Sequence, residues 1–540
     1  MKRCPECRRD YYDDTLLFCL DDGNALLEGP ATAKSEPPAS AGGQFDDEPQ
    51  TAILQSMATP GEAPKRAQIG TSSEIADISN GNSIAVLPFV NTSADADNEY
   101  FCDGLAEELL NALAKIDQLK VAARTSAFSF KGKNTDISSI GRTLGVKTIL
   151  EGSVRKSGDR LRISVQLVNA ADGYQLWSER YDREVQDIFD IEDEITLAVV
   201  SALKLRLFDK QKAAILKRYT DNAEAYQLYL KGRYYLNKWT AEGLKKGVEY
   251  FNQVIEMDPE FALAYSGLAD CYGSLSGEML RLSPKDAFPR AKAAALKALE
   301  MDESLAEAHT SLALIKLNFD WDWTGAEARL KRAIELNPNY VAAYHWYSHC
   351  LVIMGRLDES LEVSNTALKL DPLDLEINAH LGWHYCQARL HDLAVDQCQR
   401  TIEMDSNFHE AHWFLGWAFE QKEKYDKAID EFQKAVACSN GSDRMTAELG
   451  HAYGLAGKMA DAQDVLDKLR ESSTQHYVSP YNIALVLAGL GRTDEAFAEL
   501  HKACDDRSGL LIYLKTQHSF DNLHSDPRFA AITERLNLPQ

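Results

Sequence analysis

The chain has 540 residues, of which 45% are hydrophobic and 26% charged, the balance of soluble globular protein rather than of disordered or fibrous sequence. Its 58 Lys and Arg stand against 82 Asp and Glu, a formal charge of −24, so the surface as a whole repels nucleic-acid backbone and anionic membrane unless a local basic patch intervenes. No stretch is apolar enough over about 20 residues to span lipid, Met-Lys-Arg runs into Cys4-Pro5 without the apolar core of a secretory signal, and ten scattered cysteines fit a reducing cytoplasm better than a disulfide framework.

At the N-terminus, Cys4 and Cys7 are followed by Cys19 and Asp22, a C-x2-C-x11-C-x2-D spacing. A tight turn after the first member of each pair lets both side chains reach one tetrahedral ion. About 28 residues build no core without a metal or a disulfide, so an ordered segment here implies a metal. Residues 1–28 resemble a short zinc ribbon whose fourth cysteine is replaced by Asp22. The resemblance implies a closed, structural zinc held by Cys4, Cys7, Cys19 and Asp22, with no open position for catalysis. The carboxylate is a harder ligand than thiolate, which lowers the expected affinity, and Asp21 competes for the place. Residues 29–82 are rich in Pro, Ala, Gly, Ser and acids and read as a flexible linker.

Residues 83–208 alternate strand-like and helix-like segments, which predicts one α/β domain. Ser83–Val90 is a short apolar run and reads as a buried strand. Glu99–Lys115 spaces Phe101, Leu105, Leu109 and Leu113 as an amphipathic helix. Lys120–Phe130 is β-prone, and Asp136–Leu144 is a short helix. Lys147–Arg155 and Leu161–Val168 form a hairpin across Ser157-Gly158-Asp159. Gly173–Tyr181 is a further strand and Asp187–Leu207 a long final helix. Between Lys120 and Val165 ten bases face three acids. That stretch reads either as charges guarding a sheet edge or as a dock for an acidic surface, on a partner or on the rest of the chain. No aromatic stacking pattern accompanies the bases, so nucleic acid is an unlikely target.

The phrases Ile84–Phe89, Tyr100–Gly104, Ala123–Phe128, Glu151–Arg155 and Leu176–Asp182 resemble the TolB-like amino-terminal module of bacterial chains. The resemblance covers essentially all of residues 83–208 and implies a regulatory or sensory scaffold without a catalytic motif. In such chains the module commonly precedes tetratricopeptide arrays and follows a cyclase, winged-helix or kinase domain. Only about 80 residues precede it here.

From 221 onward the chain is helical and periodic. Units beginning at Val341, Leu375, His409, Asp443 and Tyr477 are spaced by 34 residues. Position 8 is small in each (Ser348, Gly382, Gly416, Gly450, Ala484), as is position 20 (Ser360, Ala394, Ala428, Ala462, Ala496). Positions 7 and 11 are bulky. Small residues let two helices approach, and bulky ones fill the space between them and the next pair. The pattern resembles the tetratricopeptide repeat, whose unit is helix–turn–helix. With three earlier, less regular units it predicts about eight units over 221–508, closed by a helical cap at 509–540. The expected architecture is therefore multidomain: a zinc-ribbon-like N-terminus, a TolB-like α/β domain and an all-α superhelical solenoid.

In tetratricopeptide arrays, positions 2, 5, 9 and 12 of the first helix line the concave face. Carried onto this chain, the resemblance gives His345, His349, Glu376, Trp383, Glu410, Trp413, Trp417, Glu420, Arg444 and His451. Such an aromatic surface ringed by carboxylates is expected to capture a protein or peptide bearing basic or aromatic residues, with cation–π contact at the tryptophans. The alternative is that the tryptophans pack between units. His345/His349 and His380/His384 are spaced i, i+4, as metal-binding pairs can be. No Cys or Glu completes a H-E-x-x-H arrangement, so they read as groove or packing residues. No phosphate loop, nucleophile elbow or kinase motif occurs, and residues 83–208 hold no histidine to activate Cys102. The expectation is a non-catalytic cytoplasmic scaffold or regulatory adaptor in bacterial signalling. The alternatives are a transcription-associated regulator contacting nucleic acid through the ribbon and basic stretch, and an accessory subunit of a cyclase or kinase system.

Overall fold

The computed structural model describes residues 2–3, 10–11 and 27–28, then 82–116, 118–275 and 283–539. Residues 1–71 and 72–540 are separate units. In the first, β1 (Lys2–Arg3) pairs antiparallel with β2 (Asp10–Tyr11) and β3 (Leu27–Glu28). Cys4, Cys7, Cys19 and Asp22, and residues 29–81 of the expected linker, lie outside the described residues.

The second unit opens with a mixed sheet. β4 (Asn82–Val86) runs parallel to β6 (Leu119–Val121) and to β7 (Thr148–Ser157), and β5 (Val90–Asn91) also pairs with β7. β7 pairs antiparallel with β8 (Arg160–Asn169), and β8 with β9 (Gln175–Glu184), giving the order β6-β4-β7-β8-β9. Alternation along β4 explains the two layers. Ile84 and Val86 face a core shared with α1 (Glu99–Ala114) and α4 (Ile188–Ala202). Ala85 and Leu87 face a smaller core with Ile140 and Leu144 of α3 (Ile137–Leu144), which is capped by Asp136. The β-prone stretch after Lys120 departs from expectation. Only Lys120 and Val121 of it are strand, and Arg124–Phe128 is a helix, α2. Its backbone is held from outside the domain: Asp371 Oδ1 accepts from Ser126 N at 2.9 Å and from the Ser126 hydroxyl, so a tertiary cap overrides local β preference. The long final helix ends at Ala202, and α5 (Asp209–Ile215) follows.

Sixteen helices then form eight hairpins: α6/α7 (Ala223–Leu236, Ala241–Met257), α8/α9 (Ala262–Leu275, Pro284–Met301), α10/α11 (Ala306–Ile315, Trp323–Leu336), α12/α13 (Val341–Ile353, Leu357–Leu370), α14/α15 (Leu375–Gln387, His391–Met404), α16/α17 (His409–Glu420, Tyr425–Cys438), α18/α19 (Asp443–Leu455, Met459–Ser472) and α20/α21 (Pro480–Gly489, Thr493–Asp506). Close approach at position 8 is visible in the packing. A Cβ on Gly416 would stand 2.5 Å from the Phe432 ring, and one on Gly382 2.5 Å from Cys398 Sγ. Both neighbours occupy position 24 of the second helix. Gly416→Ala is therefore expected to destabilise the protein by about 1–3 kcal/mol through overpacking, read as a lower urea midpoint, despite alanine's better helix propensity.

The α/β domain meets this array through a shared apolar core, through Ser126 on Asp371 and through a buried charge cluster. Glu107 on α1, buried, accepts from Arg124 Nε at 2.8 Å, Arg233 Nη2 at 2.6 Å and Asn237 Nδ2 at 2.9 Å, the last two belonging to α6 or its end. Part of the basic stretch pairs within its own domain. Lys131 pairs with Glu99 and Asp103, and Arg162 with Asp182, while Lys156 reaches Gln227 of the array at 2.7 Å.

Candidate functional site

First helices of successive hairpins pack on one another, α12 on α14, α14 on α16, α16 on α18 and α18 on α20, forming a continuous inner layer. Repeating the fold every 34 residues brings side chains about one period apart to adjacent places on that layer. All ten residues expected on the concave face lie on its helices. Their environment differs from expectation: eight of them, His345, His349, Trp383, Trp413, Trp417, Glu420, Arg444 and His451, are buried. Glu376 keeps 45% of its side-chain surface and Glu410 24%.

Five of the eight, His349, Trp383, Trp417, Glu420 and His451, meet the chain's own C-terminal segment. After α21, Arg507 stacks 3.8 Å from the Trp321 ring and donates to the Phe319 carbonyl, at the third hairpin. Two 3-10 turns, Gly509–Tyr513 and His518–Leu523, then run along the inner layer. Tyr513 Oη meets His349 Nδ1 at 2.7 Å on α12, and its ring lies edge-on to Trp383 of α14. His518 Nε2 donates to Glu420 Oε2 at 2.9 Å on α16, its ring edge-on to Trp417. The Ser519 carbonyl accepts from His451 Nε2 at 3.1 Å on α18, and Asn522 Nδ2 donates to the Ala488 carbonyl at 3.0 Å on α20. Five first helices are thus engaged in order by ten residues. The expected terminal cap is formed only in part, by α22 (Pro527–Arg535), whose Arg528 and Arg535 bridge to Asp494 and Asp505 of α21.

The physical reason is the aromatic payload itself. Each indole left in water forfeits about 1.5–3 kcal/mol of burial, and a tethered segment covers them without the entropy loss of capturing a free chain. The cation–π contact expected from a partner is made internally: Arg444 sits 5.0 Å from the ring centroids of both Trp413 and Tyr481. Its Nη2 donates to Glu448 Oε1 at 2.5 Å, and Trp413 Nε1 donates to the same oxygen.

The histidines divide into two kinds. His384 is structural, held between Ser348 Oγ at 2.9 Å and Ser360 Oγ at 2.8 Å. The other three converge. His380 Nδ1 lies 3.0 Å from His349 Nε2 and 3.2 Å from His345 Nε2. Burial, with the neighbouring imidazoles, pushes His349 and His380 well below the usual histidine range, and burial brings His345 to about 4. The sequence pairing by i, i+4 missed this arrangement. The signal was the repeat period, which sets His380 beside His345 one unit on.

Elsewhere, Cys102 is buried, and that burial pushes its thiol up to about 12. A cleft of about 880 Å³ beside β7 and β8 is lined by Lys131, Glu151 and Gln166. Those groups already pair with acids of α1 or with each other.

Comparison with known proteins places three family descriptions on the chain: HilA/YgeH-like transcriptional regulator, second domain, over 80–197, and tetratricopeptide repeat over 330–362 and 380–443. Among curated relatives, "Putative adenylate cyclase 3" of Rhizobium meliloti is 36% identical over 237 residues, 43% of this chain and 40% of that protein. "Transcriptional regulator HilA" of Salmonella typhimurium is 30% identical over 152 residues, 28% of this chain and 27% of that protein. The chain thus spans two fifths or less of the curated relatives it matches. Among solved structures, YrrB, described as a TPR protein with an unusual peptide-binding site, is 22% identical over 35% of this chain and 93% of its own, with a TM-score of 0.26. The Cut9–Hcn1 hetero-tetramer of APC/C is 16% identical over 65% of this chain and 63% of its own, with a TM-score of 0.41. Within the helical array, residues 330–362 and 380–443 match the tetratricopeptide repeat.

Proposed function

We propose that the chain is a non-catalytic protein-interaction scaffold, a regulatory adaptor of bacterial signalling in the cytoplasm, whose inner layer takes a partner segment in place of residues 513–522. The observation that carries this reading is that five consecutive first helices already grip an irregular chain through side chains and one main-chain carbonyl. A partner that competes offers an aromatic hydroxyl to His349, a donor to Glu420 and a carbonyl to His451. Basic residues beyond these reach the Glu376 and Glu410 carboxyls, which burial pushes up to about 8 and about 7, and favour their charged form. The TolB-like reading of 83–208 rests on the quoted phrases and the strand–helix alternation, and structural zinc at Cys4, Cys7, Cys19 and Asp22 on their spacing.

A second reading, transcription-associated regulation, is favoured by the HilA/YgeH-like description over 80–197. The name of the cyclase relative is compatible with an accessory role in such a system. Both readings are separable by one set of titrations. A labelled peptide of residues 509–523 is expected to bind full-length Tyr513→Ala/His518→Ala at least tenfold more tightly than wild type, because the tethered competitor is loosened. Equal, weak binding to both removes the groove reading. Duplex DNA binding that falls steeply between 50 and 200 mM salt supports the second.

A further inference from the structure

We propose that His345, His349 and His380 form a binding site for a divalent transition-metal ion of the zinc class, built into the inner layer between α12 and α14. This goes beyond partner capture and does not depend on it.

The argument begins with geometry. The three ligand nitrogens, His345 Nε2, His349 Nε2 and His380 Nδ1, all lie within 4.8 Å of one another. Two of the separations are 3.0 and 3.2 Å. An ion at about 2.0–2.1 Å from each nitrogen holds tetrahedral ligands roughly 3.3 Å apart, so side chains already seated here need only small shifts. His345 and His349, both on α12, are 5% and 4% exposed, and α12 packs on α14, which carries His380. A fourth donor stands at the rim: Glu376 Oε1 is 3.6 Å from His345 Nε2, and its open side chain gives the ion a way in.

The outer partners fit as well. A metal-bound imidazole ordinarily donates its other nitrogen to a fixed acceptor. His380, binding through Nδ1, leaves Nε2 3.7 Å from Glu410 Oε2, beyond hydrogen-bond distance but within reach of a small side-chain shift. His349, binding through Nε2, turns Nδ1 toward Tyr513 Oη at 2.7 Å. Imidazole donors select zinc, nickel, copper or cobalt over calcium and magnesium, which take oxygen ligands. Because Tyr513 belongs to the covering segment, an ion here also fixes the tautomer of His349 that donates to it.

The test uses full-length protein carrying Cys4→Ser/Cys7→Ser/Cys19→Ser, which removes the other donor set. Titration with Co²⁺ and competition with Zn²⁺ are expected to give one ion per chain, with an X-ray absorption shell of nitrogen and oxygen showing imidazole scattering. Adding His349→Ala or His380→Ala should weaken binding at least 100-fold with helical circular dichroism retained. Tyr513→Phe should weaken it about tenfold, and Zn²⁺ should slow proteolysis of residues 509–523. Since a histidine variant can also loosen the fold, the absorption shell of the histidine-intact chain decides independently. No ion in the cysteine-free background, a shell without imidazole, or full affinity in both histidine variants overturns the proposal.

Discussion

Glu107→Ala is expected to lower stability by about 3–5 kcal/mol by weakening the contact of the α/β domain with the array. Burial by itself raises the Glu107 carboxyl; the guanidiniums of Arg233 and Arg124 override it and hold the group at about 2. Those cations cannot shed their charge, so removing the carboxylate leaves two of them facing the apolar α1–α6 contact, where Gly104 already abuts Leu230. Glu107→Gln keeps one acceptor and loses the charge, and should fall between. Glu107→Leu with Arg233→Leu should recover part of the loss, since an apolar pair of similar volume replaces a broken ion cluster. The sign with pH follows from the lowered value. The contribution is complete above the ordinary glutamate range near 4.5 and is lost as pH falls through about 2. Urea unfolding and proteolysis of the 203–222 connection check this; an unchanged midpoint in Glu107→Ala refutes it.

What the sequence made legible was whatever repeats. Positions 8 and 20 announce close helix packing because the same steric need recurs every 34 residues, and Gly416 against Phe432 shows it at position 8. Strand β4 was readable because Ile84, Ala85, Val86 and Leu87 are buried from both sides. Failures occur where a distant residue decides. Arg124–Phe128 has β-prone neighbours, but its helix is capped by Asp371, 245 positions away. Eight of the ten residues expected on the concave face are buried, and nothing local in Tyr513 or His518 says that they return to α12 and α16. Pairing histidines along one helix likewise hid the trio that forms across two.

Glu420→Gln is expected to loosen residues 513–522, and the size of the effect should depend on pH. Glu420, buried, faces His451 Nδ1 at 3.1 Å and His518 Nε2 at 2.9 Å. His451 is flanked by two acceptors, this carboxylate and the Ser519 carbonyl, so both of its nitrogens donate and the ring is cationic. Burial opposes that charge, yet Glu420, with Glu448 on the same helix, raises His451 above the ordinary value. Glu420 itself is pushed up by burial and brought to about 2 by His451 and His518. A raised histidine stabilises fully below its unfolded value near 6.5 and stops doing so as pH rises through its higher folded value. The lowered carboxylate stabilises above about 4.5 and stops doing so as pH falls toward 2. The segment is therefore held best between about 4.5 and 6.5. Unlike the arginines around Glu107, His451 can discharge by losing a proton, so at pH 8 the substitution should cost only the weakened hydrogen bonds, about 1–3 kcal/mol. At pH 5.5 the unpaired ring must be charged or held neutral against solution, and the cost should grow. Hydrogen exchange of the amides of 513–522 at both pH values measures it, and an effect equal at pH 5.5 and pH 8 shows that His451 carries no charge in the folded protein.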